Sequence, residues 1–583
     1  MTSSTQPTPE QPSHTSKAGR AAQIGVKLAT FSGAGNLSLA SGITLGMIFA
    51  IVLVLILGIT LIMGSENPIA GLGVAVAITV VINLAIFFLS PFLMDLTQSW
   101  LYKTRWVSLD EIARQSPETS ATIRRVCAEK NIKQPRLGII DDENPTAFTY
   151  GSLPNSARLV VSQGLFTYLD DDEVATVYAH EMGHIVHWDF AVMTLAATMV
   201  QIVYLIYVTA RSMGRGGGDS KAKDAAAAVS LAAYVFYIVG TYLMLYLSRT
   251  REYFADRFAA ETTGNPNALS RALVKIAYGI IEVGERSQEP SRLVEGTRAL
   301  GIYDHKAAAS TGTAYRISSS PEQIGRVFLW DMFNPWGWWM ELNSTHPLTG
   351  KRVRALSTYA EQLGLPTEFN MARVVADGKS LDKGKLYGNF AVDVVLYAAE
   401  TIGIFVGLAI GFAIASSSRN SMWFLTGPLV GFGVGTLIKA LVTFPDYSRA
   451  PETSVIELMA DPYASPLRGK PARLNGDLIG RGDAGYVFGS DLKLQDRTGM
   501  MYLHYSSRFG PLGNFLFGMK RVKNLLGMKV QSVGWFRRGV APWVDLIQLK
   551  TDSGTVVNSY HRFWAFVLGG GAIIIGLFLL SLR

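Results

Sequence analysis

The chain reads as a mostly α-helical, multi-span membrane protein that also carries a small β-barrel-like domain near its C-terminus. Three observations lead there. Hydrophobic residues make up 49% of the 583 and charged ones only 17%, and the apolar residues gather in runs long enough to cross a bilayer. From about residue 450 those runs give way to short alternating segments separated by Gly and Asp. Between two of the apolar runs, three of the chain's eight His fall between His180 and His187.

Each element follows in order. Residues 1–40 are rich in Ser, Thr, Pro and Gln and read as a disordered tail. No early apolar run is followed by a small-residue cleavage site, so the first run is expected to stay as an anchor. Seven spans of about 20 residues suit a hydrocarbon core of ~30 Å. Ile43–Met63 and Ile69–Phe88 form a transmembrane hairpin within 41–95. Phe190–Ala210 and Ala226–Leu247, about 190–210 and 226–247, belong to a domain over 96–385. Phe390–Ala415 and Met422–Phe444 make a second hairpin within 386–445. Phe563–Leu582 closes the chain, in 561–583. Lys17, Arg20 and Lys27 precede the first span, and Lys103, Arg105, Arg249 and Arg251 follow later ones. By the positive-inside rule these segments are cytoplasmic. Arg211, Arg215, Lys221 and Lys223, in the loop between the third and fourth spans, run against that orientation.

The region 446–560 is expected to be a β-rich accessory domain. Ala472-Arg473-Leu474 and Lys493-Leu494-Gln495 alternate, and so do Lys529-Val530-Gln531-Ser532-Val533 and Trp543-Val544-Asp545-Leu546. Gly482-Asp483 and Asp496-Arg497-Thr498-Gly499 supply turns. Gly534-Trp535 after a β run is reminiscent of an OB-like barrel. A surface for contacting a partner protein is the plainer expectation for this domain. The net charge of +8 fits cytoplasmic loops of a membrane protein, so nucleic acid is not an expected partner.

The single cysteine, Cys127, excludes an internal disulfide and a cysteine-rich metal site. Any metal must therefore use His and carboxylates. Asp171-Asp172-Glu173 opens a helix, and Val174, Val177, Tyr178 and Ile185 keep its period. His180 and His184 stand four apart on it, so both imidazoles face one way and form half of a tetrahedral zinc site. Glu181 sits beside them, within reach of an attacking water, as in an HExxH site. A catalytic site needs a third protein ligand and an open position. Glu252, just after the fourth span, supplies that ligand. A carboxylate so close to an apolar span is costly unless paired or metal-bound. Asp256, four residues on, would orient one His. Two spans between the His pair and Glu252 return the chain to the same membrane face, so the ligands can meet. His187 is an alternative ligand. Trp330, Phe333, Trp336, Trp338 and Trp339 are open between lining the cleft, sitting at the membrane interface and plain packing.

Together these motifs resemble the HtpX-like and CAAX-prenyl-protease-type integral membrane zinc metalloproteases, over roughly residues 100–360. His180-Glu181-Met182-Gly183-His184 matches the family's first motif, and Glu252 with Asp256 its Glu-x-x-x-Asp motif. Ser344-Thr345-His346-Pro347 matches its His-Pro motif, with Arg352 at the expected offset. The resemblance implies a zincin-type helical metalloprotease domain with one zinc ion per chain. It implies that His346 and Arg352 help hold substrate and stabilise the oxyanion. It further implies that the stretch from Asn144 to Gly151 holds a substrate-binding edge strand, with Asn144, Ala147, Phe148 and Thr149 as binding residues. The expected activity is hydrolysis of peptide bonds in membrane or misfolded proteins, with Glu181 as general base, in a bacterial inner membrane and on its cytoplasmic side. Two alternatives remain: CAAX-type processing of prenylated proteins, and an inactive membrane scaffold with a structural metal site.

Overall fold

The computed structural model describes residues 47, 51, 68–214, 220–278, 321–483 and 486–582. The expected N-terminal tail lies outside the described residues, as does the first span apart from Met47 and Ile51. Among the described residues, six helices are long and apolar enough to cross a membrane, and they match the other six expected spans. The chain is an integral membrane protein, mostly helical, with a closed β-barrel-like sheet in its C-terminal region.

The first described helix, α1 (Pro68–Trp100), is continuous through Pro91. Its apolar stretch lies over Val76–Trp100, further along the chain than the expected 69–88. Asp95, near its end, accepts from Arg158 at 2.8 Å and from the Tyr150 hydroxyl at 2.8 Å, which ties the helix to the domain that follows.

That domain opens with β1 (Arg105–Val107), α2 (Leu109–Gln115) and α3 (Pro117–Lys130). Local chemistry sets these boundaries. Ser108 and Ser116 cap the two helices, Pro117 occupies the first turn of α3, and Asn131 ends it in the left-handed region at φ 50°. Next come β2 (Arg136–Ile140), β3 (Ala147–Tyr150), β4 (Arg158–Ser162), α4 (Gln163–Tyr168) and α5 (Asp171–Val186). The sheet order is β1-β2-β4-β3. Leu137, Ile139, Leu159 and Val161 pack with Ile123 of α3 and with Tyr178 and Met182 of α5 in one core.

Two long helices follow, α6 (Asp189–Gly214) and α7 (Ser220–Thr263). At 44 residues α7 is about 66 Å long. It crosses a bilayer and, from Ser248 to Thr263, still projects about four turns into the domain. Helices α8 (Pro266–Tyr278), α9 (Pro321–Phe333), α10 (Pro335–Leu342), α11 (Thr349–Gln362) and α12 (Met371–Lys379) complete this part.

The expected span over 390–415 is in fact two helices, α13 (Lys383–Tyr397) and α14 (Ala399–Ser418), with a break at Ala398. Asp393 explains why the apolar run misleads. It is 1% exposed and accepts from Trp336, Ser465 and Arg468, so its helix is clamped among polar partners rather than set in lipid. The membrane helix is α14, which pairs with α15 (Trp423–Thr443). A Cβ on Gly407 would lie 2.0 Å from the Gly427 carbonyl oxygen, so the two backbones touch where only Gly fits.

After α16 (Val455–Met459) come β5 (Lys470–Arg481), β6 (Leu492–Gln495) and β7 (Met500–His504). Then follow α17 (Gly510–Lys520), α18 (Val522–Leu525), β8 (Lys529–Arg537), β9 (Trp543–Thr551) and β10 (Val556–Asn558), and the membrane helix α19 (His561–Leu579). Strands pair in the order β5-β6-β7-β9-β8, and β8 pairs back to β5, so the sheet closes. Only β7–β9 is parallel, and the chain between β7 and β8 carries the two short helices. This is a five-stranded barrel of the OB type. Leu474, Leu478, Leu494, Leu503 and Leu546 fill it. The expected strands and both expected turns fall where the alternation placed them.

Candidate metal centre and cleft

Helix α5 begins with a capping box in which Asp170 and Glu173 satisfy each other's exposed N–H groups. Four-residue spacing then puts His180 and His184 on one face, with Nε2 atoms 3.2 Å apart. The projecting end of α7 brings in Glu252. Its carboxylate oxygens lie 3.6 Å from His180 Nε2 and 3.5 Å from His184 Nε2. His180, His184 and Glu252 are therefore gathered into one donor set able to hold a metal ion.

The donor chemistry fits zinc. A tetrahedral ion with bonds of ~2.0–2.2 Å spaces its ligand atoms about 3.3–3.6 Å apart, close to the observed separations. Both Nδ1 atoms face carboxylates: His180 Nδ1 is 3.0 Å from Asp256, and His184 Nδ1 is 2.6 Å from Asp189. With the proton on Nδ1 in each ring, both Nε2 lone pairs converge on one point, an arrangement that calls for a cation. Burial opposes charge on His180, but Asp256 and Glu252 outweigh it and raise its pKa to about 9. Burial and the neighbouring His180 lower that of His184.

Carboxylates and cations support the ligands from behind. Arg352 donates to Asp256 through Nε at 2.8 Å and Nη2 at 2.5 Å, and its Nη1 lies 3.2 Å from Glu252. It is 8% exposed. Its guanidinium pairs with two carboxylates behind the ligands, and its side chain also lines the cavity over them. Asp189, on the first turn of α6, pairs with Arg251, which also donates to the His187 carbonyl. Asp189 and Arg251 were not expected in the site. The clue was available: Asp189 is a carboxylate at the mouth of an apolar span, the same feature that singles out Glu252. His187 stands apart from the donor set, its ring packed on Phe254 and Phe258. Burial lowers its pKa to about 4.

A cavity of about 460 Å³ opens over these residues. Glu181 and His346 line it, together with Thr146, Ala147, Phe148 and Thr149. Thr149 donates to Glu181 Oε2 at 2.8 Å. His346 stands at the rim, its Nε2 3.3 Å from Glu252, with its side chain 60% exposed. Arg249 donates to the carbonyls of Glu341 and Ser344, and Ser248 to that of Thr345, which holds the His346 loop against α7. Phe190 and Met193, from the first turns of α6, form part of the wall.

The strand β3 is the edge of its sheet. Thr146 and Ser162 form a hydrogen-bonded pair with β4, since Ser162 N donates to Thr146 O. The antiparallel alternation then gives Phe148 and Tyr150 to β4. It turns the N–H and C=O groups of Ala147 and Thr149 outward. No strand covers that edge among the described residues.

Asn144 is placed differently from expectation. It is 3% exposed and absent from the cavity wall. Its amide donates to the carbonyls of Arg481 and Gly482, and it accepts from Lys493, all in the barrel. The aromatic run from Trp330 also lies outside the cavity wall. Trp330 and Trp336 bond Ala464 and Asp393, whereas Trp338 and Trp339 are exposed.

Residues 113–360 match the model of peptidase family M48. The chain is 30% identical over 322 residues to the protease HtpX homolog of Pyrococcus furiosus, covering 55% of this chain and 96% of that one. It belongs to peptidase family M48. The protease HtpX homolog of Thermococcus sibiricus is 29% identical over 325 residues, with the same coverage of 55% and 96%. That of Aquifex aeolicus is 28% identical over 302 residues, covering 51% and 86%. Among solved structures, Ste24p of S. mikatae aligns with a TM-score of 0.30 at 16% identity, over 55% of this chain and 66% of that one. This M48 protease is thus a membrane protein whose His180, His184 and Glu252 can hold a metal ion. The family match ends at residue 360, before α14, α15, the barrel and α19.

Proposed function

We propose that this M48 protease is a zinc-dependent endopeptidase that binds its substrate as an added strand along β3. The supporting observation is a juxtaposition: the His180–His184–Glu252 donor set and Glu181 share one cavity with the outward edge of β3. One zinc ion per chain held there would supply Lewis-acid activation of water and of the scissile carbonyl.

The chain's own residues do the rest. The N–H and C=O groups of Ala147 and Thr149 bond an extended peptide. Thr149 orients Glu181 through its hydroxyl. Glu181 takes the proton from the attacking water and returns it to the leaving nitrogen. His346, at the rim, donates to the developing oxyanion. Arg352 acts through Glu252 and Asp256, as a positioning residue. The wall formed by Phe190 and Met193 puts the cleft beside the membrane, which favours membrane or misfolded proteins as substrates.

Helices α6 and α7 leave the cleft domain and return to it, and α14 and α15 lead from α13 back to the barrel. Both the cleft and the barrel therefore share one membrane face. We assign that face to the cytoplasm, from the basic residues that flank it. A reporter fused after Arg583 would then fall on the opposite side.

The experiment is zinc content measured with casein cleavage on the purified full-length chain. One zinc with cleavage in wild type, zinc without cleavage in Glu181→Gln, and loss of both in Glu252→Ala is the expected pattern. Cleavage by Glu181→Gln would overturn the general base, and full zinc in Glu252→Ala the ligand set. A prenylated C-terminal peptide assayed beside a misfolded membrane protein separates the two substrate classes.

A further inference from the structure

Helix α17 carries an apolar stripe on the wrong side for a water-soluble domain. Leu512, Phe515, Leu516 and Met519 recur at i, i+3, i+4 and i+7, one face of a helix. They are 68%, 43%, 41% and 41% exposed, and Phe509, just before the helix, is 79% exposed. The opposite face is the one that packs. Gly513, Phe517 and Gly518 are buried, with Phe517 stacked on Tyr505 at 3.9 Å. Such a contiguous apolar face needs an occupant.

Two membrane helices fix the height at which α17 lies. At its start, Trp564 in the first turn of α19 donates to the Ser507 carbonyl at 2.8 Å, and Tyr560 N donates to that of Ser506 at 2.8 Å. At its middle, Phe515 stacks on Phe488 at 5.2 Å, Phe488 meets Tyr486, and Tyr486 meets Tyr102 at 5.8 Å. Tyr102 lies two residues beyond the end of α1. The helix thus runs between the points where two spans leave the bilayer. Charge agrees with this placement. Arg508, Lys520, Arg521 and Lys523 flank the stripe and are exposed, and no Asp or Glu occurs from Tyr505 to Val544.

We propose that α17 is an interfacial anchor: its stripe sits among the acyl chains of the leaflet on the barrel's side, and its basic flank binds anionic lipid headgroups. This is the physics of a helix lying in the interface plane, with apolar area and basic charge acting together. The anchor fixes the barrel against the membrane independently of whether the protease is active.

The test uses the full chain in lipid nanodiscs, in a Cys127→Ser background with Leu512→Cys or Leu516→Cys carrying an environment-sensitive fluorophore. The expected result is strong quenching by a nitroxide placed high on the lipid acyl chain and weak quenching by aqueous iodide. Lipid quenching should be several-fold stronger with phosphatidylglycerol than with phosphatidylcholine alone. Combined Lys520→Glu, Arg521→Glu and Lys523→Glu should remove that difference. Quenching by iodide instead of lipid would put the stripe in water and overturn the proposal. Protection from both quenchers would mean that protein covers it, as in a second copy of the chain, and would overturn it too. Equal lipid quenching in both lipid compositions would overturn the headgroup half.

Discussion

The four-stranded sheet ends in β3, where Ala147 and Thr149 turn their main-chain groups away from β4 and into the cleft. The five main strands of the barrel have no such edge, because β8 pairs with both β5 and β9 and closes the ring, and only the short β10, paired with β9 alone, stands at an edge. An open edge is a hazard in a folded protein, since it invites any extended chain to pair. Here it lies beside Glu181 and the donor set, so the hazard is confined to a cleft where pairing is useful. The closed ring puts no such edge beside the donor set. The two sheets meet at Asn144, two residues before Thr146, where the barrel grips the approach to the open edge.

Proline separates the two sheets most sharply. Leu494→Pro, inside a strand paired on both sides, should remove a ladder hydrogen bond, clash with its neighbours and unfold the barrel. Limited proteolysis would show it as new cleavage within 470–558. The junction comes next. Asn144→Ala would leave Lys493 buried without its acceptor, at a cost of about 1–3 kcal/mol. If the grip positions β3, kcat/KM should fall along with the melting temperature. A fall in stability alone would mean that the barrel holds the loop without aligning the edge.

Ala147→Pro is the matching change at the open edge. It removes an outward N–H and no bond to β4, so the melting temperature should hardly move. Losing one hydrogen bond to substrate is worth about 0.5–1.5 kcal/mol, or roughly two- to thirteenfold in kcat/KM. Unchanged cleavage kinetics would put the substrate elsewhere. The last effect is one of pH. Burial lowers the Lys493 pKa from 10.5 to about 7. Between those values the unfolded chain holds a proton that the folded one lacks, so stability rises with pH from about 7 towards 10.5. Below 7 the cost of burying the ammonium is present in full. Denaturant midpoints at pH 7, 8 and 9 should climb in wild type and flatten in Lys493→Met.

Much of this was legible because it depends on local periodicity. The His180–His184 pair follows from four-residue spacing, the six spans from run length, and the barrel strands from alternation between turns. The misreadings share one cause. The run from Phe390 to Ala415 is apolar enough to insert, yet Asp393 finds Trp336, Ser465 and Arg468 in distant segments, and the helix ends at Ala398. Asn144 sits where a substrate-binding residue was expected, but its partners lie more than 300 positions away in the barrel.

The sequence by itself determined the family, the membrane habit and the side chains able to hold a metal, because each rests on residue type and short-range spacing. Only the tertiary structure decided what those side chains face. It set Arg352 behind the ligands, gave His184 the support of Asp189, and turned Ala147 and Thr149 towards the cleft. Such choices belong to packing between segments far apart in the chain. There, the requirement that every buried charge and backbone group find a partner selects one arrangement from many that the local pattern allows.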